Sequence, residues 1–308
     1  MNSLWKTLKM GSSAKKVFGV IGNPDKEKVW EILPRLLDWF QDNDQEVLLA
    51  KELKNARTKD MTNVQVIPPG ELAQNVDLLI ALGGDGTILH TARLVGGAGT
   101  PVLGIRLGGL GFLAEVYLDE IHDRMHRLVD GNYNIEPRMT IAAEVHQDGE
   151  ILRHFALNDF VVNKARPLRM LSIRVSVDGG YLNTYSADGL IVSSPTGSTA
   201  YSLSVQGPIV VPTLDAMVIN PISPHSLTAR PVVISSRSKV TIEFEQQQDD
   251  LIMSADGQIE VDINHESVIH ITRGKYDINL VVWKERTFFD VLRRKMQWGS
   301  DPRSRGDT

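Results

Sequence analysis

Cysteine is absent from the 308-residue sequence, which excludes disulfide bonds, thiolate zinc sites and cysteine nucleophiles and fits a reducing cytosol. No apolar run approaches the length needed to span a membrane, and residues 1–16 are cationic without the apolar stretch of a signal peptide. Lys and Arg (33) do not outnumber Asp and Glu (38), so no overall basic field favours nucleic acid. We therefore expect a cytoplasmic protein that binds neither membranes nor nucleic acid.

The apolar content of 42% is sufficient for two hydrophobic cores, and the first half of the chain alternates between strands and helices. Pro24 and Asp25 open a predicted helix with an apolar stripe, and Pro34 is expected to kink or restart it. The spacing predicts strands over residues 17–21, 46–50, 76–82 and 102–107 and a further helix over 119–129. This order predicts a Rossmann-like α/β domain whose parallel sheet binds ligands at the carboxyl ends of its strands.

Beyond about residue 138 the apolar residues alternate with period two, as in 173–177 and 240–244, and Asp-Gly pairs at 148, 178 and 256 predict hairpin turns. This pattern predicts an all-β domain, an antiparallel sandwich. We expect an α/β domain over 1–138, a β-rich domain over 139–275, and a strand and amphipathic helix in 276–308 that return to the first domain. Residues 299–308 are predicted to form a disordered tail.

A Gly-Gly-Asp-Gly-Thr loop, residues 83–87, lies between the buried strand at 76–82 and a helix expected to start near Thr87. Backbone N–H groups at such a junction can bind an anion, usually a phosphate. Asp85 is expected to be held among those amides, where a carboxylate is electrostatically awkward unless it takes a proton or holds Mg²⁺. The alternative is a purely structural glycine turn.

A second cluster occupies residues 188–202, where a strand leads into a turn rich in glycine and hydroxyl groups. Ser198 or Thr199 is expected to cap a short helix there, and a capped turn without a ligand is the alternative. Residues 109–114 fit a loose dinucleotide fingerprint, but they follow the fourth strand rather than the first. We expect Gly108, Gly109 and Gly111 instead to line the same crevice as the Asp85 loop, so that two phosphate-binding surfaces face one cleft.

These motifs together strongly resemble the NAD kinase family. The matching stretches are residues 83–87, 107–113, 158–159, 188–202, 256–258 and 276–280, in the family's order. The Gly-Gly-Asp-Gly loop is shared with phosphofructokinases and diacylglycerol-type lipid kinases, whereas Pro-Thr-Gly-Ser-Thr-Ala-Tyr at 195–201 is far more specific. The resemblance implies transfer of a phosphoryl group to the 2′-hydroxyl of the adenosine ribose of NAD, giving NADP, with Asp85 as proton acceptor.

The resemblance also implies which residues form the site. The phosphate loop would consist of Gly83, Gly84, Gly86 and Thr87. The NAD contacts would be Asp85, Gly86, His90, Asn158, Asp159, Arg169, Asp188, Thr199, Ala200, Tyr201, Ser202, Ser204 and Gln258. His90 is equally consistent with a solvated helix residue, and Gln258 with an ordinary hairpin residue. Two positions depart from the family: Asp159 replaces a glutamate, and Ser186 stands where many relatives carry arginine.

The expected phosphoryl donor is ATP or polyphosphate with Mg²⁺ or another divalent metal, and no protein metal ligand is assigned. The resemblance further implies a homodimer or homotetramer. Two other functions remain open: a kinase of the same superfamily with a lipid or sugar acceptor, and a catalytically silent NAD-binding regulator. A silent regulator would be expected to lack Asp85 or the loop glycines, and both are present.

Overall fold

The computed structural model describes residues 15–54, 64–164, 170–245 and 250–298. They form two compact units: the first extends to Glu136 and resumes at Asn279, and the second covers Pro137–Ile278. Arg169 and the predicted disordered tail at 299–308 lie outside the described residues. Within the described residues, no helix is both long and apolar enough to cross a membrane.

The first unit is built on a parallel sheet with the strand order β3-β2-β1-β4-β5. Its strands are β1 (Val17–Gly22), β2 (Glu46–Ala50), β3 (Gln65–Ile67), β4 (Leu78–Gly83) and β5 (Val102–Arg106). Every residue of β4 is buried, as expected for a central strand covered on both faces. The helices in this part of the chain are α1 (Glu27–Asp42), α2 (Pro69–Asn75), α3 (Asp85–Val95) and α4 (Ile121–Val129).

Helix α1 continues through Pro34, so of the two expected effects of this proline, a kink or a restart, the restart does not occur. Leu33, Leu36 and Phe40 on its apolar face are fully buried in the core of the first unit. Burial of several large side chains stabilises a helix by more than the roughly 3 kcal/mol that an internal proline costs. The short elements β3 and α2 were not predicted, because three and seven residues are too few for a clear periodicity.

The second unit is an antiparallel β sandwich, which confirms the predicted fold class. One of its sheets has the strand order β13-β12-β11-β8-β15-β16. The other contains β10-β9-β14-β17, with β6 paired to β17 and β7 paired to β6. The strands are β6 (Asn134–Gln147), β7 (Glu150–Ala156), β8 (Asp159–Lys164), β9 (Leu171–Val177), β10 (Gly180–Ala187), β11 (Gly189–Ser193), β12 (Ala216–Ile222), β13 (Val232–Ser235), β14 (Val240–Phe244), β15 (Leu251–Ala255), β16 (Ile259–Ile263) and β17 (Val268–Val282).

Alternating apolar side chains from both sheets form the core of the sandwich. The two runs singled out in the sequence pair with each other, because Val240 lies opposite Val177 and Ile242 opposite Val175. The three predicted Asp-Gly turns are present, and both residues of each pair adopt the positive φ that a tight hairpin turn requires. The last helix, α6 (Phe288–Met296), belongs to the first unit and begins with a Thr287–Asp290 capping box.

Candidate active site

The glycine loop of the first unit connects β4 directly to α3. Helix α3 begins at Asp85, two residues earlier than predicted, because the carbonyl of Gly84 already accepts hydrogen bonds from the N–H groups of Thr87 (3.0 Å) and Ile88 (3.2 Å). Asp85 is therefore the first helical residue, at the positive end of the helix dipole. Gly86 is exposed and Thr87 is half-buried beside it.

The Asp85 carboxylate is held by a second loop rather than by the amides of its own. Phe112 N–H donates to Oδ2 at 2.7 Å, and Leu113 N–H donates to Oδ1 at 3.1 Å. Gly111 lies so close that a Cβ at this position would collide with the carboxylate. The expectation that the amides of residues 83–87 hold Asp85 is thus wrong, because the loop after β5 approaches the carboxylate and supplies the donors. Of the three glycines expected near Asp85, Gly111 makes this contact, whereas Gly108 and Gly109 are exposed.

Two cationic side chains near this loop were not found in the sequence. Arg106, the last residue of β5, is only 5% exposed, and its Nη2 donates to the carbonyls of Gly111 (3.1 Å) and Ala114 (3.3 Å). Lys26 precedes α1, and its Nζ would lie 3.6 Å from a Cβ at Gly84. A charged residue ending an otherwise apolar, buried strand was the signal that could have identified Arg106.

In the second unit, the backbone brings the Asn158–Asp159 pair and the 188–202 segment together. Ser194 N–H donates to the carbonyl of Asn158 at 2.8 Å, and Ser194 Oγ donates to that of Leu157 at 2.5 Å. Gly197 packs directly against the backbone of Asn158, where a Cβ would overlap main-chain atoms. The two motifs, which are 29 residues apart at their nearest ends, Asp159 and Asp188, therefore form one local structure.

The hydroxyl groups of this segment stabilise the segment itself. Ser198 Oγ donates to Pro195 O at 2.6 Å and accepts from Val210 N at 3.0 Å, and Thr199 Oγ1 donates to Thr196 O at 3.1 Å. Neither caps the short helix α5 (Tyr201–Ser204), so the capping prediction is wrong. A 3₁₀ turn over Gly197–Thr199 precedes α5 and places both hydroxyls next to nearer carbonyls.

The last residues of this segment and those of α5, residues 200–204, include both buried and accessible positions. Ser202 is buried, and Asn220 Nδ2 donates to its carbonyl (3.0 Å) and to its Oγ (3.3 Å). Tyr201 and Ser204 are exposed, and Ala200 is half-buried.

Two aspartates of the second unit lie side by side and differ in environment. The Asp256 carboxylate accepts hydrogen bonds from three consecutive N–H groups, those of Leu157 (3.0 Å), Asn158 (2.7 Å) and Asp159 (3.3 Å). Asp159 is 4% exposed; burial, and then the negative charge of Asp256, raise the pKa of its carboxyl to about 7. Gln258 follows Asp256 in the same turn and is exposed.

Asp188 is exposed at the residue before β11. Its side chain is 58% exposed and forms an ion pair with Lys164 at 3.7 Å, because the buried part of the strand begins only at Gly189. His90 is exposed on α3, and Ser186 is exposed on β10. Within the described part of the chain, no group of three or more His, Cys, Asp or Glu side chains could hold a metal ion.

Comparison with known proteins gives a clear family. The ATP-NAD kinase N-terminal domain matches residues 18–133, and the ATP-NAD kinase C-terminal domain matches residues 157–283. The chain belongs to the NAD kinase family. It is therefore a phosphotransferase with NAD kinase activity, and the resemblance seen in the motifs is confirmed.

Relatives named NAD kinase match most of the chain. The protein from Caldanaerobacter subterraneus is 41% identical over 92% of this chain and 99% of its own length. The NAD kinase from Geotalea daltonii is 43% identical over 74% of this chain and 81% of its own length.

Solved structures confirm the α/β-plus-sandwich fold of an NAD kinase. The structure of yeast NADH kinase complexed with NADH has a TM-score of 0.85 at 23% identity, covering 97% of this chain and 92% of that one. An NAD kinase from Archaeoglobus fulgidus in complex with ATP has a TM-score of 0.73 at 25% identity, covering 91% and 98%.

Proposed function

We propose that this NAD kinase transfers the terminal phosphoryl group of ATP to the 2′-hydroxyl of the adenosine ribose of NAD, with Asp85 accepting the proton of that hydroxyl. The observation that carries the proposal is the placement of Asp85, which stands at the first turn of α3 with both carboxylate oxygens fixed by backbone N–H donors. These two hydrogen bonds restrict the side chain to one rotamer, so its remaining lone pairs point in fixed directions.

A fixed carboxylate suits phosphoryl transfer. An ionised carboxylate offers about four acceptor positions, and the N–H groups of Phe112 and Leu113 use two of them. The others can accept a hydrogen bond from the acceptor hydroxyl and then its proton. Because the transition state is loose, orienting the hydroxyl contributes more than strong basicity would.

The donor phosphates are proposed to bind at the start of α3. The positive end of the helix dipole and the Lys26 ammonium near Gly84 both favour negative charge there. Gly83, Gly84, Gly86 and Thr87 form the proposed phosphate loop, and Lys26 lies near it. ATP is the proposed donor because the A. fulgidus relative is in complex with ATP, and polyphosphate is the alternative that the experiment distinguishes.

Mg²⁺ is compatible with the proposed phosphate site. Magnesium is commonly held by one or two carboxylates together with substrate phosphates, so a larger cluster of protein ligands is not required. The phosphates of ATP would hold the ion, which would neutralise charge on the donor, and no protein ligand is assigned.

NAD is proposed to bind through the second unit. Asn158 and Asp159 are proposed to contact the ribose, and the exposed ring of Tyr201 offers a face for stacking. Ser202 is the exception in this segment, because it is buried and bonded to Asn220. Its proposed role is to hold α5 rather than to contact NAD. The other proposed NAD contacts are Asp85, Gly86, His90, Arg169, Asp188, Thr199, Ala200, Ser204 and Gln258.

The test is to mix the protein with Mg²⁺, NAD and either ATP or polyphosphate, and to detect NADP with an NADP-specific dehydrogenase. NADP formed with ATP supports the proposal, and the absence of NADP with either donor overturns it. Asp85→Asn is expected to lower kcat at least ~100-fold while NAD still binds. Near-normal turnover would disprove the role of Asp85. Replacing NAD by diacylglycerol or a hexose tests the rival acceptors.

A further inference from the structure

We infer that Arg106 is a positioning residue for the phosphoryl transfer, because it fixes the peptide plane that aims the N–H group of Phe112 at Asp85. This inference rests on the proposed role of Asp85.

The central geometric fact is that one peptide unit makes contacts on both sides. The carbonyl of Gly111 accepts a hydrogen bond from Arg106 Nη2 at 3.1 Å, and the N–H of Phe112, which belongs to the same peptide unit, donates to Asp85 Oδ2 at 2.7 Å. In a trans peptide the C=O and N–H groups point in opposite directions. Holding the carbonyl towards Arg106 therefore turns the N–H towards Asp85.

The peptide needs this restraint because it follows a glycine. A glycine preceding the peptide lowers the cost of rotating the plane, and rotation would point a carbonyl oxygen at the Asp85 carboxylate. The Arg106 guanidinium opposes this with charge-assisted hydrogen bonds to Gly111 O and, at 3.3 Å, to Ala114 O. The two carbonyls flank the Phe112 and Leu113 amides, so one side chain holds both ends of the short segment that binds Asp85.

The guanidinium is itself fixed by aromatic packing. It lies 4.4 Å from the centroid of the Tyr117 ring, which Arg286 also contacts at 4.3 Å. Arg286 in turn donates to Glu120 at 2.7 and 3.0 Å. Arg106 thus approaches the loop from a supported position, with little conformational freedom left.

Stability alone does not account for this arrangement. Arg106 is 5% exposed, and its Nε is buried with no hydrogen-bond partner within the described residues. A buried charge with an unsatisfied donor is often replaced by an apolar side chain at little cost to stability. We therefore expect the Arg106→Met variant to fold. We expect it to lose activity because the Gly111–Phe112 peptide plane is no longer held in place.

The test is a double-mutant cycle with steady-state kinetics on the full-length protein. Arg106→Met is expected to lower kcat by about 10-fold or more, while KM for ATP and for NAD changes less than about 3-fold. In the Asp85→Asn background the same substitution is expected to lower kcat by less than about 2-fold, because the residue through which it acts is already inactive. Arg106→Lys replaces the planar guanidinium by a single ammonium, and its kcat is expected to lie between those of Arg106→Met and wild type.

Arg124→Met is the matched control. Arg124 has similar burial (7% exposed), lies in the same unit and stacks on Trp283 at 4.7 Å. This variant loses a comparable buried arginine, and kcat is expected to stay within about 2-fold of wild type. A second measurement, hydrogen exchange of the peptide containing residues 112–113, is expected to show faster exchange in Arg106→Met than in Arg124→Met.

The outcomes are distinguishable. Equal losses of kcat in both Asp85 backgrounds, or equal losses in the two arginine variants, would overturn the positioning role while the proposed function stands. Unchanged exchange at residues 112–113 would overturn the peptide-plane argument. Failure of the wild-type protein to form NADP would instead refute the proposed function, and the exchange measurement would still decide whether Arg106 fixes the loop.

Discussion

Replacing Asp159 by asparagine is expected to stabilise the second unit at alkaline pH, although it removes a charged residue from the proposed NAD site. Asp159 is 4% exposed, and burial followed by the charge of Asp256 raises the pKa of its carboxyl from the ordinary 3.8 to about 7. Above that pH the folded protein holds two neighbouring negative charges, one of them buried. Asparagine has the same shape and cannot ionise, so the variant avoids this cost.

The sign and size follow from proton linkage. Between pH 3.8 and about 7 the folded carboxyl is protonated and the unfolded one is not, so the stability that the proton provides is present at low pH and lost as pH rises through 7. At about 1.4 kcal/mol per tenfold change in proton affinity, the shift corresponds to about 4 kcal/mol. This is a ceiling for the gain of Asp159→Asn at about pH 8.5, because the new amide must also find hydrogen-bond acceptors.

The neighbouring substitution Asp256→Asn should have the opposite effect. Its carboxylate accepts three backbone N–H groups, and an amide replaces one acceptor oxygen by a donor that faces them. We expect a loss of about 1–3 kcal/mol, comparable to leaving buried donors without an acceptor. Two nearly isosteric changes at adjacent aspartates are thus expected to differ in sign.

The assay is urea unfolding followed by circular dichroism, with wild type and both variants measured at several pH values from about 5 to 8.5. The free energy of unfolding of Asp159→Asn relative to wild type should increase across this range by more than about 1 kcal/mol. If that difference stays constant with pH, the pKa of Asp159 is not raised in the folded protein and the reasoning is wrong.

Two further predictions concern single contacts. Lys26→Met is expected to raise KM for ATP about 10-fold with little change in KM for NAD, because an ammonium near Gly84 is lost; Lys28→Met, on the exposed face of α1, is the control. Gly197→Ala is expected to destabilise the protein by several kcal/mol in thermal unfolding, because a Cβ would overlap the backbone of Asn158. An unchanged melting temperature would show that the two segments can separate.

The fold could be predicted from the sequence where the hydrophobic periodicity was long and unambiguous. The fully buried run of β4 and the alternation in β9 and β14 predicted both fold classes, because a parallel central strand and a half-buried antiparallel strand bury different sets of residues. It failed at local events decided by tertiary packing. Proline in α1 reads as a break, yet the buried face of that helix keeps it continuous. Hydroxyls before α5 suggest a cap, yet closer carbonyls bind them.

The proposed active-site residues divide in the same way. Asp85 could be singled out because a carboxylate in a glycine loop is unusual, and the specificity of residues 195–201 pointed to the acceptor. The N–H groups of Phe112 and Leu113 that bind Asp85 could not be predicted, because every residue except proline carries a backbone N–H group and the sequence does not distinguish one from another. Only Gly111, where a side chain would collide with the carboxylate, indicated in the sequence that this loop approaches Asp85.

Each unit contains an aspartate gripped by consecutive backbone amides of a neighbouring loop: Asp85 by Phe112 and Leu113, and Asp256 by residues 157–159. Consecutive amides favour an anionic partner, so each carboxylate fixes the loop as much as the loop fixes it. The consequences differ with location. Asp256 uses its charge to hold the Asn158–Asp159 pair and raises the pKa of Asp159 as a result. Asp85 stands at a helix start and keeps acceptor positions for a hydroxyl. The same backbone arrangement thus builds a structural anchor in one unit and, we propose, a catalytic group in the other. The double-mutant cycle with Arg106 tests the catalytic role, and unfolding of Asp256→Asn tests the structural one.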